Sequence, residues 1–524
     1  MVITFLPSNK KVHIEEGISL YEAAVNAGID TDGVCSGRKT CGKCKVLVTR
    51  GNDRIFSTEE MQSLTEEEKE RGIRLACCFY PASDTCAIVE ERKRQPGGRC
   101  ERIPVKDMAE SGSLGIVVDL GTTNLEGVLY DRKKRTALKV GGIPNPQRIY
   151  GGDVVSRITY AIESSQNASK LKEAVKGAVN TLIKELTAEQ GISPYQVEEV
   201  VLAGNTTMTS LFLGRPVNGL SRAPFQSESY AGSRLNSWEA GIPINTGGYV
   251  YVLPGISGHV GGDTLACILS TKLYKEERKV LLLDIGTNGE IVLCDGKRLI
   301  ACSVAAGPAF EGGNISCGMR AEQGAVTAVR YQDDRFEVQF IGKENEGAYP
   351  SGICGSGLIE CVYELYENNK IDETGRLLGE AGEENRIVIW SEGKRELSLT
   401  QRDIREYQLA QGAVRAGVAI LLEKAGLRAE ELDKIYLAGN FGRNLSVEKA
   451  IRIGLLPLVN EKIVEYIGNG VLTGGAKILT KEISTHEAEE VSCNTEHIEL
   501  ALEPAFEEQF VKAISFPPKD KDME

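Results

Sequence analysis

The sequence has no apolar run approaching the roughly eighteen residues that cross a bilayer. Its opening, "MVITFLPSNKKVHIEEG", also lacks the apolar stretch and small-residue cleavage site of a secretory leader. The expectation is a cytoplasmic protein without membrane contact. Positive charge is short as well: 61 Lys and Arg face 74 Asp and Glu in 524 residues, a formal charge of −13. That balance argues against nucleic acid as a partner. Histidine is scarce, four in all, and His259, the one near a motif, stays unassigned. Cysteine is not scarce. In a cytoplasmic chain, fourteen of them are better explained by metal ligation, reactivity or packing than by disulfides.

Three cysteines crowd one loop. "VCSGRKTCGKCKV", residues 34–46, reads Cys35-x5-Cys41-x2-Cys44, and Cys77 follows in "GIRLACC". Zinc sites usually draw on two tight pairs. Three thiolates from one loop and a fourth from a distance suit a 2Fe-2S cluster, with zinc or oxidised thiols as the alternatives. Gly33, Gly37 and Gly42 allow the backbone to come close to the bridging sulfides. "MVITFLP", "KVHIEEG" and "KVLVTR" read as strands and "SLYEAAVNAG" as a helix. "STEEMQSLTEEEKERG" reads as a second, acidic helix capped at Ser57 or Thr58, with residues 59–70 a solvated face. The order of strands, helix, cysteine loop, strand, helix and last cysteine resembles the β-grasp ferredoxins, an α+β fold, over residues 1–92. The resemblance implies Cys35, Cys41, Cys44 and Cys77 as cluster ligands, with Cys78 and Cys86 as bystanders.

Apolar periodicity then stops, and residues 93–112 read as a linker rich in Pro, Gly and charge. After it the chain repeats itself. "GIVVDLGTTNLEGVLYD" (115–131) is answered by "VLLLDIGTNGEIVLCD" (280–295), and "EVVLAGNTTMTSLFLG" (199–214) by "DKIYLAGNFGRNLS" (433–446). Both members of the first pair read as a strand ending in Asp, a Gly-Thr turn and a second strand, and both of the second as a short strand running into Leu-Ala-Gly-Asn. One such hairpin is ordinary turn chemistry; two in matched order with matched partners imply duplicated lobes facing each other.

This half resembles the superfamily of actin, sugar kinases and heat-shock chaperone ATPases, an α/β two-lobed fold that clamps a nucleotide. The implied lobes run over 113–278 and 279–524. By motif, Asp119 with Gly121, Thr122 and Thr123 matches the first phosphate hairpin, and Asp284 with Gly286, Thr287 and Asn288 the second. Facing carboxylates suit a hydrated Mg2+, and Gly-Thr tips offer amides to phosphate oxygens. Gly439, Asn440, Phe441 and Gly442 match the turn on which adenosine lies. Asp263, at the start of a helix expected within 257–274, is the candidate near the attacking water, against the alternative of a plain helix cap. Gly307 in "AAGPAFEGG" belongs to a further glycine turn ahead of a helix, open either to phosphate contact or to close helix packing.

An N-terminal 2Fe-2S domain, a linker and a nucleotide clamp together resemble the ATP-dependent reductive activators of corrinoid proteins. "NPQRIYGGDVVSRI", "AGNTTM", "AGPAFEGGNISCGM" and "GICGSGLIE" match motifs of that family. The resemblance implies one-electron reduction of Co(II) to Co(I) in a corrinoid protein of a methyltransferase system, coupled to ATP hydrolysis. An external low-potential donor would reload the cluster. Better-known members carry an extra segment between linker and clamp, implicated in dimer formation; it is missing here, which leaves a homodimer open. The competing readings are an ATP-gated redox-sensing module and a small-molecule kinase with a ferredoxin appendage.

Overall fold

The computed structural model describes residues 1–31, 33, 37, 39, 41–52, 55–89, 113–342, 348–378, 385–393, 395–439 and 445–519. The expected linker, Cys35, and Asn440, Phe441 and Gly442 lie outside the described residues.

The first unit is a five-stranded sheet in the order Lys10–His13, Val2–Leu6, Thr85–Ile88, Lys45–Arg50, Ile73–Leu75. Its first and last strands in sequence that touch, Val2–Leu6 and Thr85–Ile88, run parallel. Helix Leu20–Asn26 starts in a Ser19/Glu22 capping box and buries Leu20, Tyr21, Ala23 and Ala24 against the sheet.

The acidic segment is two helices rather than the single one expected. Ser57/Glu60 and Thr65/Glu68 each form a capping box, starting helices Thr58–Ser63 and Glu66–Glu70, and the extended Leu64 between them turns into the core. The S/T-x-x-E signal occurs twice, and each copy nucleates its own helix. Nor is the acidic face wholly solvated: Glu60 is 0 % exposed and pairs with Arg74, itself 1 % exposed, at 2.8 Å.

Two six-stranded sheets follow, and they repeat one pattern. In the first the order is Ser233–Asn236, Tyr249–Val252, Val197–Ala203, Leu114–Leu120, Asn124–Asp131, Thr136–Pro144. In the second it is Val464–Gly468, Lys434–Ala438, Lys279–Ile285, Gly289–Asp295, Leu299–Val304, Thr495–His497. In both, a hairpin strand pairs in parallel with the strand that spells Leu-Ala. Asp119 lies in register with Ala203 and Asp284 with Ala438, so the duplication inferred from the sequence is also a duplication of register.

Between the sheets, helices Gly262–Thr271 and Gly470–Leu479 cross in a shared apolar core with Val117, Val201, Val280 and Leu282. They meet at glycine: a Cβ on Gly474 would stand 1.9 Å from the Ala266 carbonyl oxygen. Among the described residues, no helix is long and apolar enough to cross a membrane.

Candidate functional site

The two Asp-Gly-Thr hairpins bring their tips to the mouth between the lobes. In the first, Asp119 sits directly across the ladder from Glu126; in the second, Asp284 sits across from Glu290. The crossing helices each begin at one of these pairs. Asn469, the N-cap of the second helix, donates its amide to Asp119 Oδ2 and Glu126 Oε2, both at 2.9 Å. Asp263 stands in the first turn of the first helix, beside Asp284 and Glu290, and the Cys267 thiol lies 3.7 Å from Asp284 Oδ2.

Burial followed by mutual repulsion sets the charge of this group. Asp119 is held well above the usual carboxylate range by burial and then by Glu126, while the Asn469 amide opposes the shift. Asp284 is pushed up to about 6 by burial and Asp263. Asp263 also rises to about 6, through burial, and Glu290 rises well above its usual range by burial and then by Asp263 and Asp284. Carboxyl groups so placed favour a dication or protons among them. Among the described residues no three His, Cys, Asp or Glu side chains converge to hold a bare metal ion. The burial and mutual repulsion of the carboxyl groups suit an ion that keeps its waters and takes few protein ligands, as Mg2+ does.

Asp263 is not the N-cap of its helix. Gly261 holds the N-cap position, and Asp263 Oδ1 accepts the N–H of Thr264 at 2.8 Å. The amides of Gly262 and Asp263 reach back to the Gly204 carbonyl at 3.0 and 3.4 Å, tying this helix to the end of the Leu-Ala-Gly strand.

The tips themselves are held by residues whose role the motifs alone did not reveal. Asn205 caps helix Thr206–Leu213 and donates to Thr122 Oγ1 at 3.0 Å. Arg157, wholly buried, donates to the carbonyls of Thr122 (2.6 Å) and Gly151 (2.9 Å), and burial lowers its guanidinium to about 9. Asn145 donates its amide to the Gly121 carbonyl at 2.8 Å. Gly121 has no alternative: a Cβ there would lie 2.4 Å from the Asn124 carbonyl oxygen. On the second tip, the Gly286 amide bonds the Asn288 carbonyl, and the Gly307 amide bonds the Thr287 carbonyl, both at 2.9 Å. Gly439, at φ +82, would bring a Cβ to 2.5 Å from Asp284 Oδ1. The rest of that turn lies outside the described residues.

In the N-terminal unit, Cys44 and Cys77 are buried with their sulfurs 3.3 Å apart. That is far beyond a disulfide bond of about 2.05 Å and close to the roughly 3.7 Å of two thiolates on one tetrahedral ion. Cys41 is half-buried at the rim. Cys78 points its thiol to within 3.7 Å of Cys77, and burial and that neighbour push it up to about 12. The Arg74–Glu60 pair sets the strand leading to Cys77: Glu60 Oε1 also accepts the Leu75 N–H at 3.0 Å, and Arg74 lies between the Phe56 and Phe79 rings at 4.4 and 4.5 Å. Gly37 and Gly42 both take positive φ, as a tight wrap requires. His259 lies tilted against the Phe225 ring, centroids 4.7 Å apart, and faces Glu499 at 3.6 Å.

Comparison with known proteins agrees with both halves. Residues 278–524 match the C-terminal ASKHA domain of RACo, residues 114–276 the RACo middle region, and residues 3–82 a 2Fe-2S iron-sulfur cluster binding domain. The corrinoid activation enzyme RamQ of Eubacterium limosum is 32 % identical over 421 residues, which span 77 % of this chain and 70 % of that protein. A Co(II) methylated amine-specific corrinoid protein reductase of Methanosarcina barkeri is 26 % identical over 77 % of each chain. A solved reductive activator for corrinoid, iron-sulfur protein superposes with a TM-score of 0.70 at 30 % identity, over 99 % of both chains.

Proposed function

We propose that this chain, which belongs to the RACo family, carries out ATP-dependent reductive activation of a corrinoid protein, delivering one electron that takes Co(II) to Co(I). The observation that carries the reading is the joining, in one chain, of a buried thiol pair in a ferredoxin fold to two carboxylate-bearing hairpins whose tips Glu311 bridges.

The division of labour follows. Residues 1–92 hold the electron, 93–112 link, and the lobes 113–278 and 279–524 close on nucleotide. Cys35, Cys41, Cys44 and Cys77 hold the 2Fe-2S cluster, which when bound supplies the single electron. Asp119 and Asp284 hold the waters of Mg2+, which when bound offsets charge on the phosphates. Gly121, Thr122, Thr123, Gly286, Thr287, Asn288 and Gly307 present amides and hydroxyls to the phosphate chain. Gly439, Asn440, Phe441 and Gly442 form the shelf for adenosine. Asp263 orients the attacking water from the start of its helix and, with its carboxyl raised to about 6, accepts a proton near neutral pH. An external low-potential donor in the cytoplasm reloads the ferredoxin domain.

Nucleotide matters because a plant-type ferredoxin lies near roughly −400 mV, and an acceptor about 59 mV lower is disfavoured tenfold. Lobes that hold the partner differently before and after hydrolysis couple one free energy to the other. The test mixes reduced protein, ATP and a Co(II) corrinoid protein and follows Co(I) absorbance. Equal reduction without ATP overturns the proposal. Cys77→Ala should abolish the reduction while leaving nucleotide binding intact.

A further inference from the structure

The ferredoxin domain stands on the clamp with a foot on each lobe. Lys43, between Cys41 and Cys44, donates its ammonium to the carbonyls of Ile315 (3.0 Å) and Gly318 (3.2 Å). On its other side Asp30 pairs with Arg148.

Both footholds adjoin the phosphate tips. Arg148 belongs to the turn begun by Asn145, whose amide side chain and backbone N–H bond the carbonyls of Gly121 (2.8 Å) and Thr123 (2.9 Å). Ile315 and Gly318 belong to the loop that carries Glu311. One Glu311 oxygen accepts from the Thr287 N–H (2.9 Å) and hydroxyl (2.7 Å), and the other from the Thr123 hydroxyl at 3.3 Å. Glu311 thus bridges the two tips, on the very amide and hydroxyl groups that a phosphate would take. Between Glu311 and the Lys43 foothold lies a compact turn. A Cβ on Gly312 would stand 2.4 Å from the Met319 carbonyl oxygen, and the Gly318 amide closes on the Ile315 carbonyl at 3.0 Å.

A carboxylate and a terminal phosphate cannot share these donors, because two like charges at hydrogen-bond range repel. We propose that Glu311 is an internal surrogate for the terminal phosphate: it latches the two tips together, and its displacement by nucleotide moves the 307–319 loop and frees the ferredoxin domain from its Lys43 foothold. The inference rests on the reading that the two tips bind nucleotide phosphate. Glu311 on the tips keeps the domain docked, and a phosphate taking those donors releases it toward its acceptor.

The test uses the full, cluster-loaded chain under anaerobic conditions. An amine-reactive reagent reports the accessibility of Lys43 by peptide mass, with Lys449, bonded to Glu360 and Glu364, as the internal reference. A non-hydrolysable ATP analogue at saturation should raise Lys43 labelling relative to Lys449 about tenfold, as release of the ammonium from its two carbonyls requires. Glu311→Gln, which keeps an acceptor and removes the charge, should bind the analogue about fivefold more tightly and label faster at Lys43 even without nucleotide. Unchanged Lys43 labelling in a chain that demonstrably binds the analogue overturns the inference alone. Weaker binding by Glu311→Gln also overturns it, because Glu311 would then serve the nucleotide rather than compete with it. A wild-type chain that binds no nucleotide overturns the functional reading and the latch together.

Discussion

The two lobes press a long helix onto equivalent strands, and each makes room for it on the opposite partner. In the first lobe the room is on the sheet: a Cβ at Gly127 would lie 3.0 Å from Leu182, and one at Gly141 3.2 Å from Leu186, both leucines on helix Ser165–Ala188. In the second lobe the position after the hairpin glutamate is Ile291, and the room is on helix Gln401–Ala425. A Cβ at Gly417 would lie 2.7 Å from both Ile291 and Val304. The small residue changed sides, leaving no room on either helix–sheet seam for a further methyl group, as dense interiors demand. The chemistry is exchanged in the same manner. The carboxylate pair of the first lobe meets an amide, Asn469, and that of the second meets a third carboxylate, Asp263. On the proposed function, a duplicated frame has thereby acquired a holding side and a reacting side.

Several substitutions sharpen or break this contrast. Asp263→Asn makes the second side resemble the first and should lower ATP hydrolysis by about 10²- to 10⁴-fold with nucleotide affinity little changed, as steady-state hydrolysis and a binding titration would report. A matching loss for Asn469→Ala in hydrolysis, without a loss of stability, would erase the distinction. Asn469→Asp makes the first side resemble the second and replaces two hydrogen bonds by repulsion. The nucleotide-free chain should lose about 1–3 kcal/mol, measured by denaturant unfolding, and recover much of it with Mg2+ and nucleotide.

The pH dependence carries the same sign on the reacting side. Asp263 and Asp284 keep their protons up to about pH 6 when folded, against about 3.9 in an unfolded chain. A raised carboxyl stabilises the fold below its unfolded value and loses that contribution as pH rises through the folded one. The nucleotide-free protein should therefore lose melting temperature between about pH 4 and pH 6. Asp284→Asn, which removes one titrating group facing Asp263, Cys267 and Glu290, should flatten that slope.

The smallest effects come from the paired helices. Gly417→Ala is expected to cost about 1–3 kcal/mol by overpacking against Ile291 and Val304. Gly177→Ala, in the matching helix with nothing within 4 Å of its Cβ, should stabilise by about 0.5–1 kcal/mol. Melting curves of the two variants should move in opposite directions, and movement in the same direction would mean that the lobes pack alike after all.

Much of this was legible in the residues because it is written locally. The thiols of Cys41 and Cys44 sit three positions apart, and each hairpin spells Asp, Gly and Thr within a few positions. Glu126 and Glu290 were missed although the signal was present: counting across either hairpin from its turn places a glutamate opposite each aspartate. The repeated capping signal at Ser57 and Thr65 was likewise available, yet the acidic run read as one helix. Asn469 is different. It lies 350 residues from Asp119, and only the crossing of two helices brings it there. Lys43 reaches a carbonyl 272 residues away, and no local periodicity encodes such a pairing.

Helix Gly470–Leu479 closes one face of the first lobe's own sheet. A Cβ on Gly475 would stand 2.3 Å from Val117, Arg132 donates to the Leu479 carbonyl at 3.3 Å, and Lys481 pairs with the buried Glu199 at 2.7 Å. Translation delivers those partners late. A nascent chain that has emerged through the middle region bears a sheet with one apolar side still wet and a carboxylate pair without its amide, so its first lobe cannot finish ahead of its second, as sequential domains ordinarily do. Severing the chain between the lobes would leave neither fragment self-sufficient, and the C-terminal stretch serves as the keystone of a fold begun hundreds of residues earlier.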